Sequence, residues 1–343
     1  MQKIKRKGEQ SGFTLIEVII TLSLILVFSA IVIPLFTGVM NFVSRVDTQA
    51  NIQVLGEAVE EWYEENAWNI DSQGGASVVL PNGQNMTNNS STLSNDGWKQ
   101  LALKYTSSQR YLVDGENQGF RIFVSNRQEQ MYEGVLIPYH VIAIVSGNGV
   151  QQADNTGTSV VQSTFNVGNG QLTPHPEDEV YVVSGFDIQK QKFKESQKRL
   201  ETVAQAYEDY YWSRFVGQGS EPAINYFGAR GGNPRWDTGA TINVVCGGNN
   251  STSVAGRRAL GNSIQASNLP SVLQLPTTSV ESSWGRDLRL LNCGSTSNAR
   301  VGYSTITFRA RDPNNGGYPP YTAILGFTLP NGQTYSSTVT SKF

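Results

Sequence analysis

The sequence is poor in charged residues, histidine and cysteine. Charged residues make up 16% of the 343 positions, with two histidines, His140 and His175, and two cysteines, Cys246 and Cys293. No His-Glu-x-x-His, P-loop or Gly-x-Ser-x-Gly motif occurs, and the cysteines lack zinc-type spacing. His140 falls in a strand pattern and His175 between two prolines, so neither is expected to be catalytic. We predict a protein that is not an enzyme and holds no cofactor.

An excess of positive charge is also lacking. The 26 Lys and Arg residues stand against 28 Asp and Glu residues, for a net charge of −2. Nucleic-acid binding through bulk positive charge is therefore not indicated. The 34 glycines and many Asn, Ser and Thr residues favour a loop-rich, β-containing extracellular body. The length suggests about two domains.

One long apolar run follows a short basic leader. Residues 1–12 carry four basic residues against Glu9, so this leader is expected to stay on the cytoplasmic side of a membrane. Between Phe13 and Val43 the one charged residue is Glu17. A helix over residues 13–36 would be about 36 Å long, which is enough to cross a bilayer. A carboxylate in such a helix costs about 2.5–3.5 kcal/mol, so Glu17 is a candidate functional residue.

The junction between leader and apolar run reads Gly-Phe-Thr-Leu-Ile-Glu from Gly12 to Glu17. It resembles the class III signal of type IV pilins and pseudopilins. The resemblance implies that a prepilin peptidase cuts after Gly12 and methylates the new amine of Phe13. It also implies that Glu17 meets the N-terminal amine of a neighbouring subunit during filament assembly. The alternative is a plain signal anchor in which Glu17 has no role.

Pro34 lies within the apolar run. Proline cannot donate a backbone hydrogen bond, so we expect the helix to kink or unwind locally there. The resemblance implies that such a stretch lets subunits pack in a filament. The alternative is an ordinary membrane proline that the helix tolerates.

The helical pattern continues beyond the membrane segment. Ile52, Leu55, Val59 and Trp62 recur at spacings of three and four, which predicts an amphipathic half that packs on a globular head. The pattern ends near Trp68. A helix of about 55 residues would measure about 80 Å. Such a length suits a bundle of many copies, as in a pilus core.

Strand patterns follow this helix, including Phe120–Val124 and His140–Ser146, and then a second helical stretch begins. Within Phe186–Phe215, the residues Leu200, Ala204, Tyr207 and Tyr211 repeat the earlier spacing, with Leu55 matched to Leu200. A further strand, Thr322–Thr328, follows. We predict an α+β fold with a long membrane-spanning N-terminal helix and two tandem pilin-like heads with antiparallel sheets. The alternative is two similar amphipathic helices without a common origin.

The predicted divisions are a leader at 1–12, a membrane segment at 13–40, a first head with its helix at 41–185, and a second helix and head at 186–343.

The predicted topology places Cys246 and Cys293 outside the cytoplasm, where a disulfide between them is plausible. The alternative is two free buried thiols. In type II secretion pseudopilins, which the heads also resemble, an acidic C-terminal loop can hold calcium. The candidates for such a loop are Asp114, Glu116, Asp154 and Asp312. They lack the dense carboxylate spacing of a calcium site, so no metal is assigned.

Together these features predict a structural subunit of a type IV pilus-like filament. Its size favours a minor pilin with a role in assembly, adhesion or surface interaction, because shaft pilins of this family usually carry one small head. The alternatives are a secretion pseudopilin and a major shaft pilin. The expected partners are a prepilin peptidase, other pilin subunits, the inner membrane, an assembly platform with its cytoplasmic ATPase, and a host-surface or substrate ligand. The expected location is the inner membrane, with a cytoplasmic N-terminus, and then a periplasmic or extracellular filament.

Overall fold

The fold was examined in a computed structural model, which describes residues 14–79, 85–87, 91–92, 96–106, 108–147, 161–217, 258–259, 273–286, 288–290, 302–303 and 321–340. The described helices are α1 (Leu15–Asp71), α2 (Asp96–Thr106) and α3 (Gly185–Gly217), with 3₁₀ helices at Gln109–Leu112 and Thr277–Val280. Six residues singled out above lie outside this part of the chain, namely Gly12, Phe13, Asp154, Cys246, Cys293 and Asp312.

The described strands, in chain order, are β1 (Ser77–Val79), β2 (Asn85–Thr87), β3 (Ser91–Thr92), β4 (Arg121–Val124), β5 (Gln128–Tyr132), β6 (Val135–Tyr139), β7 (Val141–Ser146), β8 (Thr164–Asn166), β9 (Gln171–Thr173), β10 (Glu179–Ser184), β11 (Arg258–Ala259), β12 (Arg289–Leu290), β13 (Gly302–Tyr303), β14 (Tyr321–Thr328) and β15 (Thr334–Thr340). The α+β fold with antiparallel sheets is confirmed.

Helix α1 is a single helix of 57 residues, and the predicted long helix is confirmed. It ends at Asp71, slightly beyond the predicted Trp68, where the N–H of Ser72 bonds the Trp68 carbonyl. Its residues up to Val46 are almost all exposed, whereas one face is buried from Thr48 onward. The amphipathic period therefore begins where the apolar run stops.

The first sheet lies against the second half of α1. Its strand order is β10-β7-β4-β3, and all neighbours are antiparallel. Alternate residues of β4, Ile122 and Val124, are buried, while β7 is buried along its whole length between its two neighbours. This alternation is what packs the sheet onto the apolar face of α1.

The second sheet has the same arrangement as the first. Strands β11, β12, β14 and β15 pair in that order and antiparallel, as β3, β4, β7 and β10 do, and β13 pairs with the start of β14. A 3₁₀ helix precedes β4 in residues 41–185 (the first half of the protein), and another precedes β12 in residues 186–343 (the second half). A helix crosses each sheet, α1 in the first half and α3 in the second.

The loops after the two 3₁₀ helices share one hydrogen-bond pattern. In Asp114–Gln118 and Ser282–Arg286, the N–H of the first residue donates to the carbonyl of the fifth, at 2.8 and 2.6 Å. The N–H of the fourth residue donates to the carbonyl of the first, at 3.0 and 2.9 Å. The fourth residues, Asn117 and Gly285, have φ of 64° and 67°, the left-handed conformation that Asn and Gly tolerate best.

In each half, a side-chain hydroxyl on the long helix accepts a hydrogen bond from the backbone of this loop. Thr48 Oγ1 accepts the N–H of the second loop residue at 2.9 Å and donates to the carbonyl four residues earlier at 2.8 Å. Ser196 Oγ makes the same two bonds in α3, at 2.9 and 2.8 Å. Three residues after each hydroxyl, Asn51 and Arg199 donate to the carbonyl that precedes the loop, at 2.9 and 3.3 Å.

These equivalent bonds set the register between the two helices. Because Thr48 matches Ser196, Leu55 matches Val203 and Ile52 matches Leu200. These contacts give a different register from the spacing pattern, which matched Leu55 with Leu200 only approximately. Helical spacing repeats at both three and four residues, so the sequence pattern alone allowed several alignments.

Candidate assembly helix and junction between the halves

The start of α1 is closed by a capping box. Thr14 donates its N–H and its hydroxyl to Glu17 Oε2, each at 3.0 Å, and the Glu17 N–H donates to Thr14 Oγ1 at 3.4 Å. A carboxylate in the first turn also interacts favourably with the helix dipole. Glu17 therefore turns back toward Thr14, the first described residue of the chain.

The N-terminal part of α1, residues 15–46, presents an apolar surface that is exposed in the single chain. Leu15 is 80% exposed and Leu35 72% exposed, and the most apolar window of the helix has no buried residue. Within the described part of the chain, α1 is the one helix long and apolar enough to cross a membrane. Residues 15–46 would extend about 48 Å. Lipid or the helices of other subunits must cover this surface, because exposed apolar area of this extent is unfavourable in water.

Helix α1 runs without interruption through Pro34. The unwinding that we expected there is therefore not present in the single chain. Proline has no N–H, so the carbonyl four residues earlier loses its helical donor. Thr37 Oγ1 donates to the carbonyls of Ile33 and Pro34, at 3.1 and 2.9 Å. Such back-bonding by threonine often accompanies helix bending.

A family model described as the prokaryotic N-terminal methylation motif matches residues 8–33. The chain carries a type IV pilin-like prepilin signal. This signal implies processing by a peptidase and assembly with other pilin subunits, and it indicates a structural subunit rather than an enzyme. With the apolar half of α1 it also indicates membrane anchoring. No curated protein and no solved structure matches the chain.

The distal end of α1, opposite the prepilin signal, holds a buried cluster of polar side chains. His140 Nδ1 lies 2.6 Å from Asp71 Oδ1, and His140 Nε2 lies 3.0 Å from the Gly75 carbonyl oxygen. Both ring nitrogens of His140 therefore lie within hydrogen-bond distance of an oxygen atom. The Tyr63 hydroxyl donates to the Asp71 carboxylate at 2.7–2.8 Å and accepts the backbone N–H of His140 at 2.8 Å.

The same cluster connects the first half to the second. Gln189 in α3 donates to the Asp71 carboxylate and, at 2.9 Å, to the Ala67 carbonyl. Trp284 Nε1 in the loop before β12 then donates to Gln189 Oε1 at 2.7 Å. A continuous series of buried hydrogen bonds therefore joins α1, α3 and the second sheet. The hydrophobic core is likewise one cluster that includes both halves.

Burial dominates the electrostatics of this cluster. It raises the pKa of the Asp71 carboxyl from its ordinary value, while the bonds from His140, Tyr63 and Gln189 lower it. The pKa of Tyr63 lies well above its usual range because of burial and the neighbouring Asp71 charge. Three partner residues satisfy this one carboxyl group, so its removal is expensive.

Gly185 lets α3 start directly against this cluster. Its N–H donates to the His140 carbonyl at 3.0 Å. A Cβ added at this position would overlap the Tyr63 hydroxyl and lie 2.7 Å from the His140 carbonyl oxygen. Close approach of the two backbones therefore requires glycine.

The structure places two of the calcium candidates within a turn. Asp114 is buried; its Oδ1 accepts the N–H groups of Glu116 and Gln118 at 2.9 and 2.8 Å, and its Oδ2 accepts the Ser146 hydroxyl at 3.0 Å. Among the described residues no group of three or more His, Cys, Asp and Glu could hold a metal ion. Asp114 is a structural residue of the loop rather than a solvated carboxylate.

Sequence reasoning missed the Asp71 cluster. Asp71 lies just beyond the predicted end of the helix near Trp68, and His140 falls in a predicted strand and was not expected to be catalytic. The structure shows His140 fully buried. The sequence contains no local signal for the pair, because the two residues come together only through the packing of β7 on α1.

Proposed function

We propose that this chain is a minor subunit of a type IV pilus-like filament, placed at the tip, with a role in assembly, adhesion or surface interaction. The observation that carries this proposal is the position of the second half. It packs on the end of α1 that is farthest from the apolar segment.

The contacts between the halves support a head-to-tail stack. In the first half, the loop Asp114–Gln118 lies beside Thr48, at the end of this half that is nearest to the apolar segment of α1. The equivalent loop of the second half, Ser282–Arg286, contacts Trp68 at the far end of α1. The turn between β14 and β15 also reaches back to the first half, since Asn331 donates to the Leu136 carbonyl at 3.0 Å.

This stacking favours the tip over the shaft. Subunits stored in a membrane join a filament at its base, so an earlier subunit lies beyond each shaft subunit. A second unit stacked beyond the first would compete for that space. At the tip there is no earlier subunit, so the second half can occupy the space where that subunit would lie.

The N-terminal segment supplies the assembly chemistry. We propose that a prepilin peptidase cuts after Gly12 and methylates Phe13, and that the Glu17 carboxylate then pairs with the amine of a neighbouring subunit. A carboxylate among apolar helices is stable only with a cation and donors beside it. An assembly platform with a cytoplasmic ATPase would extract the subunit from the inner membrane, and Pro34 would adapt the helix to its neighbours.

The matching strand orders, loops and helix hydroxyls support an internal duplication. We propose that residues 41–185 and 186–343 are two copies of one pilin-like unit. The register set by Thr48 and Ser196 makes α3 equivalent to α1 from about Thr37 onward. The second copy therefore corresponds to a head without its membrane segment.

Stoichiometry and position in purified filaments test the proposal. Quantitative mass spectrometry should find few copies of this chain per filament, and gold-labelled antibodies against the second half should decorate one end. Labelling along the whole filament would identify a major shaft subunit instead. Dependence of protein secretion, rather than of surface filaments, on the gene would identify a secretion pseudopilin.

A further inference from the structure

A cleft lies where the two halves meet, outside the buried cluster. It has a volume of about 340 Å³, within the range of about 300–1,000 Å³ typical of ligand sites. Residues of the last turns of α1 form one wall, and Lys192 with the loop residues 283–286 forms the other. Ligand sites are common at such junctions between units.

Two tryptophans, Trp68 and Trp284, line the cleft. Trp68 and Trp284 meet edge to face, with centroids 6.5 Å apart and an interplanar angle of 64°. The Trp284 side chain is fixed in place by its hydrogen bond to Gln189 and by contact with Phe327, whose ring centroid lies 5.9 Å away. Trp68 is half-buried and lines the cleft.

The polar residues that line the cleft carry charges of both signs. Glu64 and Glu65 lie there with Lys192 and Arg286, and Glu65 is also paired with Lys104 at 2.9 Å. The guanidinium of Arg286 lies 4.8 Å from the Trp68 ring centroid. An ionic ligand of either sign would meet repulsion as well as attraction here. Asn66 and Asn69 add amides that can donate and accept.

We propose that this cleft binds a neutral carbohydrate. The apolar face of a sugar ring stacks on an indole, and its hydroxyl groups each donate and accept hydrogen bonds, as the mixed carboxylate, cation and amide rim requires. The site deepens the proposed role in adhesion or surface interaction and rests on it for the exposure of the ligand. A tip position would present the cleft beyond the shaft.

The test uses the full mature chain in detergent, applied to an array of neutral oligosaccharides of glucose, galactose, mannose and N-acetylglucosamine. Sulfated and sialylated glycans on the same array are the anionic arm. We expect binding to at least one neutral oligosaccharide, followed by saturable quenching of tryptophan fluorescence when that oligosaccharide is titrated. Binding to no glycan, or to anionic glycans alone, would overturn the proposal.

Variants locate the site. Trp68→Ala should weaken binding of the selected oligosaccharide about tenfold or more because the stacking surface is lost. Asn69→Ala combined with Glu64→Gln changes exposed rim groups alone and should weaken binding several-fold without affecting unfolding. The matched control is Tyr111→Ala, since Arg110 lies 4.9 Å from the Tyr111 ring centroid in a similar stack outside the cleft.

The control should bind like the wild type. Wild-type affinity in both cleft variants would refute the site. This binding is measured on the isolated chain, so its failure is distinct from a failure of the tip position, which is measured on filaments.

Discussion

Replacement of Asp71 by Asn should destabilise the whole folded body, because Asp71 is the acceptor on which the junction between the halves depends. The carboxylate has no exposed surface and accepts from His140, Tyr63 and Gln189. An amide in its place keeps the volume but supplies one oxygen instead of two. The buried His140 ring would then face an amide rather than a carboxyl group.

The expected loss is about 3–5 kcal/mol in the free energy of unfolding, the cost of breaking a buried pair by removing one partner. The control is Glu65→Gln in the same helix. Glu65 pairs with Lys104 at 2.9 Å, but both side chains are about half exposed. Exposed pairs contribute about 0–1 kcal/mol, so this control should be close to neutral.

Urea unfolding of the mature chain in detergent, followed by circular dichroism, measures both variants. Hydrogen exchange should show faster exchange at the start of α3 in Asp71→Asn, because Gln189 loses its acceptor there. Equal stability of Asp71→Asn and Glu65→Gln would refute a stabilising role of the Asp71 carboxyl group at this junction. Loss of stability with unchanged exchange in α3 would refute the coupling between the halves.

Four further predictions concern processing, assembly, covalent structure and pH. A bulky residue in place of Gly12 should leave uncut precursor in the membrane, visible by intact mass, whereas normal cleavage would contradict the prepilin reading. Glu17→Val should insert into the membrane normally or better, yet enter filaments less; wild-type incorporation, measured by immunoblot of sheared filaments, would argue against docking through this residue. Cys246 and Cys293, which lie outside the described residues, should form one intramolecular disulfide worth about 4 kcal/mol for a loop of about 48 residues, and two free thiols in non-reducing peptide maps would refute it. Finally, the raised pKa of Tyr63 means that the unfolded chain loses this proton at lower pH than the folded chain, so stability falls as pH rises above about 10, and Tyr63→Phe should flatten that slope in urea titrations.

Local patterns were sufficient to predict the long helix and several of the strands. The apolar run and the spacing of Ile52, Leu55, Val59 and Trp62 predicted α1 almost to its end. Strand-like runs predicted β4 and β7, and the predicted second helix, Phe186–Phe215, matches α3. These signals are local because the periods of helix and strand are set by backbone geometry within one element.

The junction was not predictable in this way. The atoms of His140 and Asp71 that lie 2.6 Å apart belong to residues separated by 69 positions. Which polar groups share a buried site depends on the packing of whole elements, and no residue near Asp71 in the sequence indicates its partner. The alignment of the two helices was missed for a related reason, since equivalent loop contacts, and not periodicity, define their register.

By itself, the sequence determined the prepilin signal, the exposed apolar half of α1 and the α+β class, because hydropathy and local conformational preference act over a few turns of chain. The tertiary structure alone decided that the second sheet repeats the order of the first, that it stacks on the far end of α1, and that Trp68 and Trp284 enclose a cleft. Those features depend on contacts between residues far apart in the chain. The free energy of such contacts comes from mutual burial, which exists only once the elements have packed.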